Sequence, residues 1–212
     1  MAKTKSINGT MLKMTHVEST AYGNHVRLKR GTLTPVILSN GMKTSAINQT
    51  RANLMAKVIF DAVTTFAPNF KDGKFWNRLV SNFRKQKKAG KAYTYQEFNS
   101  IEVRREYPLS NHGSFNLDIE NGTALLHYNF TNDEPYLLSV LRIAADDTLL
   151  FPYPQEIAEI RTTGEINSGT LRLNFTPLPN HKTTLYAVQA QQIVNGQPNK
   201  GFKERGLKFY TF

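Results

Sequence analysis

The chain has 212 residues, of which 40% are hydrophobic and 11% aromatic, and it carries a formal net charge of +11. This length and this hydrophobic content are enough for one large or two small folded domains, and they exclude a disordered chain. Because the sequence contains no cysteine, disulfides, zinc ribbons, thiolate iron–sulfur sites and cysteine nucleophiles are excluded.

The positive charge is confined to the first half of the chain. Residues 1–110 contain 19 Lys and Arg against 6 Asp and Glu, whereas residues 111–212 contain 8 against 10. The two halves therefore have net charges of +13 and −2. This asymmetry indicates that the first half faces a polyanion or an acidic partner.

The sequence shows no targeting or membrane segment. Its first twenty residues lack the apolar run of a secretory signal. No stretch approaches the roughly 20 apolar residues that a membrane span requires. We therefore expect a protein without membrane contact, located in the cytoplasm or in a virion.

Residues 1–45 alternate turn dipeptides, Asn8-Gly9 and Asn40-Gly41, with short β-like runs. Segment 25–30 alternates apolar with basic side chains, as a half-exposed strand does. Segment 32–38 predicts a second strand, which its proline limits to a sheet edge or a strand start. We expect a basic extended arm or β-hairpin here and no helix.

A helical block is predicted over residues 46–108. Ser45 is a candidate N-cap for a first helix from Ala46 to about Phe66, which Pro68 terminates. The apolar stripe of this helix comprises Leu54, Val58, Ala62 and Phe66, widened by Met55, Ile59 and Val63.

Two further helices are predicted in this block. Asp72 is a candidate cap for the second, whose apolar positions are Phe75, Trp76, Leu79, Val80 and Phe83. The cations of 84–88 and the following Gly90 are typical of a helix C-terminus. Residues 94–97 match a capping box, which predicts a short third helix to about Ile101 that ends before Pro108.

From Ser114 the apolar period changes to two, which predicts a β-sandwich domain over 113–212. Segments 114–119 and 123–130 form a plausible hairpin through Asn121-Gly122. The other predicted strands are 136–144, 148–151, 157–162, 170–175, 183–193 and 207–212. The fold class is therefore α+β, with an antiparallel sandwich of immunoglobulin-like shape that lacks the Cys…Trp…Cys hallmark of antibody domains.

The residues that usually carry catalysis form no recognisable set. No two of the five histidines have the spacing of a zinc motif. The acid pairs Asp133-Glu134 and Asp146-Asp147 fall at predicted turns, where Asp bonds the local backbone. Phosphate-binding glycine loops and the Gly-x-Ser-x-Gly nucleophile motif are absent from the sequence. We predict a non-enzymatic protein without metal or cofactor.

The basic clusters are the best functional signal in the sequence. The candidate binding residues are Arg27, Lys29, Arg30, Arg84, Lys85, Lys87, Lys88, Lys91, Arg104 and Arg105. Such clusters gain affinity for phosphate backbones by counterion release, and Tyr93 and Tyr95 could stack on unpaired bases. For cluster 84–91 the alternative stays open that it is a solvated helix end whose cations compensate the helix dipole.

Several short motifs resemble a family of small basic Bacteroidota proteins of unknown function. These are a Lys-rich start with Ile7-Asn8-Gly9, the dipeptide Gly23-Asn24, Arg27 in a basic strand, and a shortened Gln-x-x-Arg motif at 49–51. The helical middle and the C-terminal sandwich complete the same layout. The resemblance implies no activity, so it assigns no functional residue.

Together these observations predict a structural or assembly protein. Its basic arm and helices would dock on other protein subunits, and the sandwich would supply a rigid interaction surface. We expect an oligomer or a component of a larger complex, virion-like or otherwise. The alternative is a nucleic-acid-binding protein that contacts DNA or RNA through the basic clusters with little sequence preference.

Overall fold

The computed structural model describes residues 4–5, 14–17, 23–28, 39–120, 123–178 and 183–212. The chain divides into two compact units, residues 1–45 and residues 46–212. No helix within the described ranges has an apolar stretch long enough to cross a membrane.

In the first unit, three short strands form an antiparallel sheet. They are β1 (Thr4–Lys5), β2 (Met14–Val17) and β3 (His25–Leu28), in the order β1-β2-β3. Strand β3 falls within the predicted strand 25–30 and pairs Arg27 with Thr15. The predicted strand 32–38 and the turn at Asn8-Gly9 lie outside the described residues.

Helix α1 (Asn40–Phe66) begins earlier than the sequence indicated. The hydroxyl of Ser39 accepts a hydrogen bond from the backbone N–H of Met42 at 3.2 Å, which is the contact of an N-cap. The expectations of a turn at Asn40-Gly41, of a Ser45 cap and of no helix before residue 46 are therefore wrong. Ser39 and Ser45 are equally good capping residues by type, so the sequence could not choose between them.

The buried face of α1 is also rotated from the predicted one. Leu54 is 49% exposed, because the buried residues are Ala52, Met55, Ala56, Ile59, Ala62 and Val63. Three of these six residues are alanines, which allow close packing of the helix. The predicted end at Phe66 is confirmed.

Helix α2 (Phe75–Lys88) follows the prediction closely. The N-cap is Lys74 and no side chain caps the helix, so the predicted Asp72 cap is wrong; the Asp72 carboxylate instead accepts the backbone N–H of Lys74 at 2.8 Å, before the helix begins. The predicted apolar positions are buried except Trp76, which is half-buried. At its end, the N–H of Lys91 bonds the carbonyl of Gln86 at 3.0 Å, and Gly90 has a φ of +71°. The third predicted helix is only a 3₁₀ turn, Gln96–Phe98, and a second such turn spans Leu109–Asn111.

Eight strands follow along the chain. They are β4 (Gly113–Glu120), β5 (Thr123–Phe130), β6 (Tyr136–Ala145), β7 (Glu156–Arg161), β8 (Ser168–Leu173), β9 (Thr183–Val194), β10 (Gln197–Pro198) and β11 (Arg205–Tyr210). Strands β4, β5 and β8 form one antiparallel sheet in that order. In the other sheet β7, β6 and β9 are neighbours, and both β10 and β11 pair with β9. The α+β class with a β-rich C-terminal part is confirmed.

One predicted strand is wrong. Residues 148–151 form a turn in which the carboxylate of Asp146 accepts a hydrogen bond from the Thr148 hydroxyl at 2.8 Å. Leu149 has a φ of +60°, a conformation that no strand residue adopts. Asn195 and Gly196, both with positive φ, make the tight turn between β9 and β10.

Strands β6, β9 and β11 of the larger sheet are buried on both faces, whereas β7 is largely exposed. Alternate residues of the buried strands pack against the helices, among them Leu141, Ile143, Leu185, Ala187, Leu207 and Phe209. The intervening residues pack against the smaller sheet, among them Leu138, Val140, Tyr186, Val188 and Tyr210. The helices and the sandwich thus share apolar cores. Both belong to one compact unit, residues 46–212, and the predicted boundary near 108–113 lies inside that unit.

Candidate basic groove

An open groove of about 950 Å³ runs between the outward face of α2 and the segment 97–105. We call it the basic groove. Its lining residues are Lys74, Asn77, Arg78, Ser81, Asn82, Lys85, Gln86, Ala89, Lys91, Glu97, Ser100, Ile101, Glu102 and Arg105. Five of these carry a positive charge and two a negative charge.

Three polar side chains of α2 hold the opposite wall of the groove in place. Arg78, Asn82 and Gln86 follow each other at intervals of four residues, so they lie on one helix face. Arg78 donates to the carbonyls of Glu102 and Val103 at 3.0 and 2.8 Å. Asn82 donates to the Glu97 carbonyl at 2.7 Å. We call these three residues the polar ladder.

Gln86 completes the ladder with a two-way contact. Its side-chain amide donates to the Thr94 carbonyl at 3.0 Å and accepts the Thr94 N–H at 2.9 Å. Arg78 is itself fixed by Asp72, whose two carboxylate oxygens lie 2.9 and 2.7 Å from one guanidinium nitrogen. Apart from the Nε of Arg78, which is buried without a hydrogen-bond partner, the polar groups of the ladder are hydrogen-bonded, and such a network rigidifies a structure.

The wall segment is also paired with strand β11. The N–H of Ser100 bonds the Phe209 carbonyl at 2.8 Å, and the N–H of Val103 bonds the Leu207 carbonyl at 3.0 Å. The N–H of Phe209 bonds the Ile101 carbonyl at 3.0 Å. The groove thus has one helical wall and one wall that extends the larger sheet.

The five cations of the groove differ in their pairing. Arg78 is committed to Asp72, and Lys91 forms an exposed ion pair with Glu97 at 2.8 Å. Over the described ranges, the side chains of Lys74, Lys85 and Arg105 make no hydrogen bond or ion pair. These three charges are therefore available to an anion.

The ten predicted binding residues divide into groups. Lys85, Lys91 and Arg105 line the groove, whereas Arg84, Lys87 and Lys88 are exposed on α2 and do not line it. Arg104 is turned away, with its guanidinium 4.0 Å from the centre of the Phe202 ring and its side chain only 17% exposed. Arg27 is described by its backbone pairing alone, and Lys29 and Arg30 lie outside the described residues.

The predicted base-stacking tyrosines are not available for stacking. Tyr95 is completely buried, and Tyr93 is half-buried with its ring edge-to-face on Phe83 at 6.0 Å. Both belong to or border the core beneath the groove. Among the described residues, no aromatic side chain lines the groove, so this surface offers charges and hydrogen-bond donors to a ligand.

The sequence prediction missed four charged groove residues, Lys74, Arg78, Glu97 and Glu102. The spacing of Lys74, Arg78 and Lys85 places these cations on neighbouring helix faces and could have been noticed from the helix prediction. The local sequence does not indicate that Glu102 is half-buried, because its burial arises from tertiary packing. Burial raises the pKa of Glu102 to about 7, although the Leu109 N–H and the charge of Lys208 act in the opposite direction.

The described residues contain no group of three or more His, Asp or Glu side chains that could hold a metal ion. A separate apolar depression of about 410 Å³ lies between α1 and the turn after β6. Leu54, Val58, Leu150, Phe151 and Pro152 line it, and Phe151 is 69% exposed.

Comparison of the chain with protein-family models, with curated proteins and with solved structures gives no match. The resemblance to the basic Bacteroidota family therefore stays a prediction. The assignment of a role to the groove rests on its own geometry.

Proposed function

We propose that the protein is a non-enzymatic polyanion-binding protein whose basic groove holds the sugar-phosphate backbone of DNA or RNA. The observation that carries this proposal is the set of three unpaired cations, Lys74, Lys85 and Arg105, that face one open groove. Arg84, Lys87 and Lys88 add exposed positive charge to the last turns of α2.

Helix-end chemistry does not account for all these charges. Lys85, Lys87 and Lys88 lie in the last turn of α2, where cations stabilise the helix dipole. Lys74 is at the opposite end, at the N-cap, where a positive charge is unfavourable. Arg105 is not on the helix. A ligand-binding role explains the positions of Lys74 and Arg105, whereas local helix stability does not.

The dimensions of the groove favour phosphate contacts. Lys74 and Lys85 are separated by eleven residues, or about 16 Å along the helix axis. One strand of a duplex places about five phosphates over this length. Because no aromatic side chain appears in the lining and its neutral polar groups are short amides and hydroxyls, we expect contacts to the backbone and little sequence preference.

The salt dependence of binding tests this proposal. Binding of a random-sequence 20-base-pair DNA duplex and of a single-stranded RNA is measured by fluorescence anisotropy between 50 and 200 mM salt. The triple variant Lys74→Gln, Lys85→Gln, Arg105→Gln should lower the slope of log K against log salt by about 2 to 3 units, since each phosphate contact contributes about 0.9.

A matched control replaces three exposed lysines outside the groove, Lys57, Lys200 and Lys203, with Gln. This variant carries the same net charge as the groove variant, so it should keep most of the wild-type slope. Undetectable binding at 50 mM salt, or an equal loss in both variants, contradicts the proposal.

The strand order supports an immunoglobulin-like scaffold for this function. Counting the seven longer strands of the sandwich in chain order, the first, second and fifth form one sheet, and the third, fourth, sixth and seventh form the other. This is the constant-domain arrangement of immunoglobulins with the fourth strand moved to the opposite sheet. Such sandwiches often present binding surfaces without catalysing reactions.

A second candidate function is assembly, which the apolar depression beside α1 favours. Leu54 and Phe151 expose 49% and 69% of their surface there, as residues at a protein interface do in the free subunit. Size-exclusion chromatography with light scattering should show a dimer or larger species that Phe151→Ser disrupts, whereas a monomer at all concentrations excludes this function.

A further inference from the structure

Strand β7 forms a free edge of the larger sheet. Within the described ranges it pairs only with β6. Just beyond the strand, the N–H of Thr162 bonds the Tyr136 carbonyl of β6 at 2.8 Å. Because the backbone groups of a strand alternate in direction, the N–H and C=O groups of Ile157, Glu159 and Arg161 point away from β6. They have no backbone partner in the described part of the chain, so a further strand can add to the sheet there.

The side chains of this edge are also open to a partner. Ile160 is 42% exposed, although it lies opposite Leu138 on the face towards the smaller sheet. Together with Leu171 of β8 it borders a narrow cavity of about 110 Å³ between the edges of the two sheets. Strand β7 contains no proline and no bulge, two devices by which edge strands avoid pairing. Its charged side chains therefore decide which strand can pair with it.

Two of these charges have no ionic partner. Glu159 and Arg161 lie on one face of β7, because side chains alternate along a strand, and both are exposed. Glu159 accepts a hydrogen bond from the Ser139 hydroxyl at 3.0 Å, and Arg161 donates to the Gly196 carbonyl at 3.4 Å. Among the described residues neither forms an ion pair. An acid and a base are thus available two positions apart on the free edge.

This spacing complements a second copy of β7 in one register. Antiparallel pairing about a two-fold axis places opposite side chains on the same face, so the residues that meet are an even number of positions apart. With Ile160 on the axis, Glu159 of each copy lies opposite Arg161 of the other copy, and the two Ile160 side chains meet. Registers centred on a charged residue of β7 place like charges opposite each other. Registers centred on Ile157 or Ala158 bring no opposite charges together.

The other free edges in residues 46–212 lack this property, as far as the structure describes them. Strand β4 carries only the acids Asp118 and Glu120, and β8 carries only the base Arg172. Strand β10 has two residues and no charge. The outer edge of β11 is occupied by the segment 100–103. Self-complementarity is therefore specific to β7.

We propose that two copies of the chain form a dimer by antiparallel pairing of β7 with β7, with Ile160 on the two-fold axis and Glu159 opposite Arg161. The pairing joins the larger sheets of both copies into one continuous sheet and adds about four backbone hydrogen bonds. A single strand pair is a small interface, so the dimer is weak and depends on concentration. The inference is independent of the proposed function, because β7 lines neither the basic groove nor the apolar depression beside α1.

Charge reversal tests the register, with the dimer measured by sedimentation velocity from about 5 to about 500 µM protein. Glu159→Arg and Arg161→Glu each place like charges opposite each other at both contacts and should weaken the dimer about tenfold or more. An equimolar mixture of the two single variants restores opposite charges at both contacts and should dimerise like the wild type. The double variant should do the same.

Glu120→Arg is the matched control, because it makes the same change of charge on an exposed strand residue outside β7. It should leave the dimer unchanged, and Phe151→Ser should remove only species larger than the dimer. Equal losses in Glu159→Arg and Glu120→Arg, or no recovery in the mixture, would overturn the pairing. So would a dimer that Phe151→Ser alone reduces to monomer. A wild-type protein that is monomeric throughout overturns this inference and leaves duplex binding by the basic groove as a separate question.

Hydrogen exchange of the wild-type protein provides a measurement that needs no variant. The backbone N–H groups of Glu159 and Arg161 should exchange about tenfold more slowly in the dimer than after dilution to monomer. Those of Ala158 and Ile160 point to β6 and are the internal reference, whose exchange should not change with concentration. Fast exchange of the Glu159 and Arg161 groups at every concentration overturns the proposal.

Discussion

The two faces of the larger sheet are covered by different kinds of contact. On the side of the smaller sheet, the contacts are mainly apolar and aromatic, as in the stacked pair Phe130 and Tyr136 with ring centres 4.1 Å apart. On the helical side, aromatic packing such as Phe75 on Phe209 is supplemented by the polar ladder. The apolar contacts set stability, whereas the directional hydrogen bonds of the ladder set the position of a charged wall.

The largest effect is expected where both helices and sheet depend on one apolar side chain. Phe209 is completely buried in β11 and stacks on Phe75 at 6.1 Å. Phe209→Ala should lower the free energy of unfolding by about 3–5 kcal/mol through lost burial and the cavity left behind. Urea denaturation measures it. Ile157→Ala, at a position 51% exposed, should cost less than about 1 kcal/mol, and similar losses in both variants would contradict the packing described.

The next effect concerns the ladder. Arg78→Gln leaves Asp72 without its partner and two carbonyls without donors, at a site where both charged side chains are about 15% exposed (14% and 16%). We expect a loss of about 2–3 kcal/mol in the same denaturation experiment. Arg84→Gln, six residues along the helix and exposed, should change stability by less than about 0.5 kcal/mol. A small loss at Arg78 would mean that the wall does not depend on the ladder.

The smallest effect is a dependence of stability on acid. Burial alone would raise the pKa of Asp72, but hydrogen bonds from Arg78 and from the backbone of Lys74 and Arg105 lower it below 3.8. The resulting stabilisation is present above pH 3.8 and is lost as the pH falls through the lower pKa of the folded state.

Asp72→Asn should remove this acid-dependent loss of stability. Thermal unfolding of both proteins between pH 5 and pH 2.5 measures the difference. Parallel curves for the two proteins would show that the Asp72 carboxylate is not preferentially stabilised in the folded state.

The strands and α2 were predictable because each follows a strong local rule. The alternation of β5 and the spacing of Phe75, Leu79 and Phe83 specify their elements without reference to the rest of the chain. Segment 148–151 has the composition of a strand. It forms a turn because the carboxylate of Asp146 accepts hydrogen bonds from the Thr148 hydroxyl and the Phe151 N–H.

The groove itself could be predicted only in part. The cations of 84–91 and Arg105 were visible in the sequence. The sequence could not indicate that Arg104 packs on a ring 98 positions later or that Tyr95 is buried, because these contacts depend on how distant segments meet. For the same reason the burial of Glu102, on which its pKa depends, had no local signature.

The pairing of the groove wall with β11 has a consequence for the newly made chain. Helix α2 needs only local sequence and can form within microseconds, but Val103 bonds the carbonyl of Leu207, more than 100 residues downstream. At about 5–20 residues per second, ribosomes need roughly 5 to 20 s to make that distance. During this interval the wall segment lacks its pairing with β11, so the groove is complete only after β11 has been synthesised.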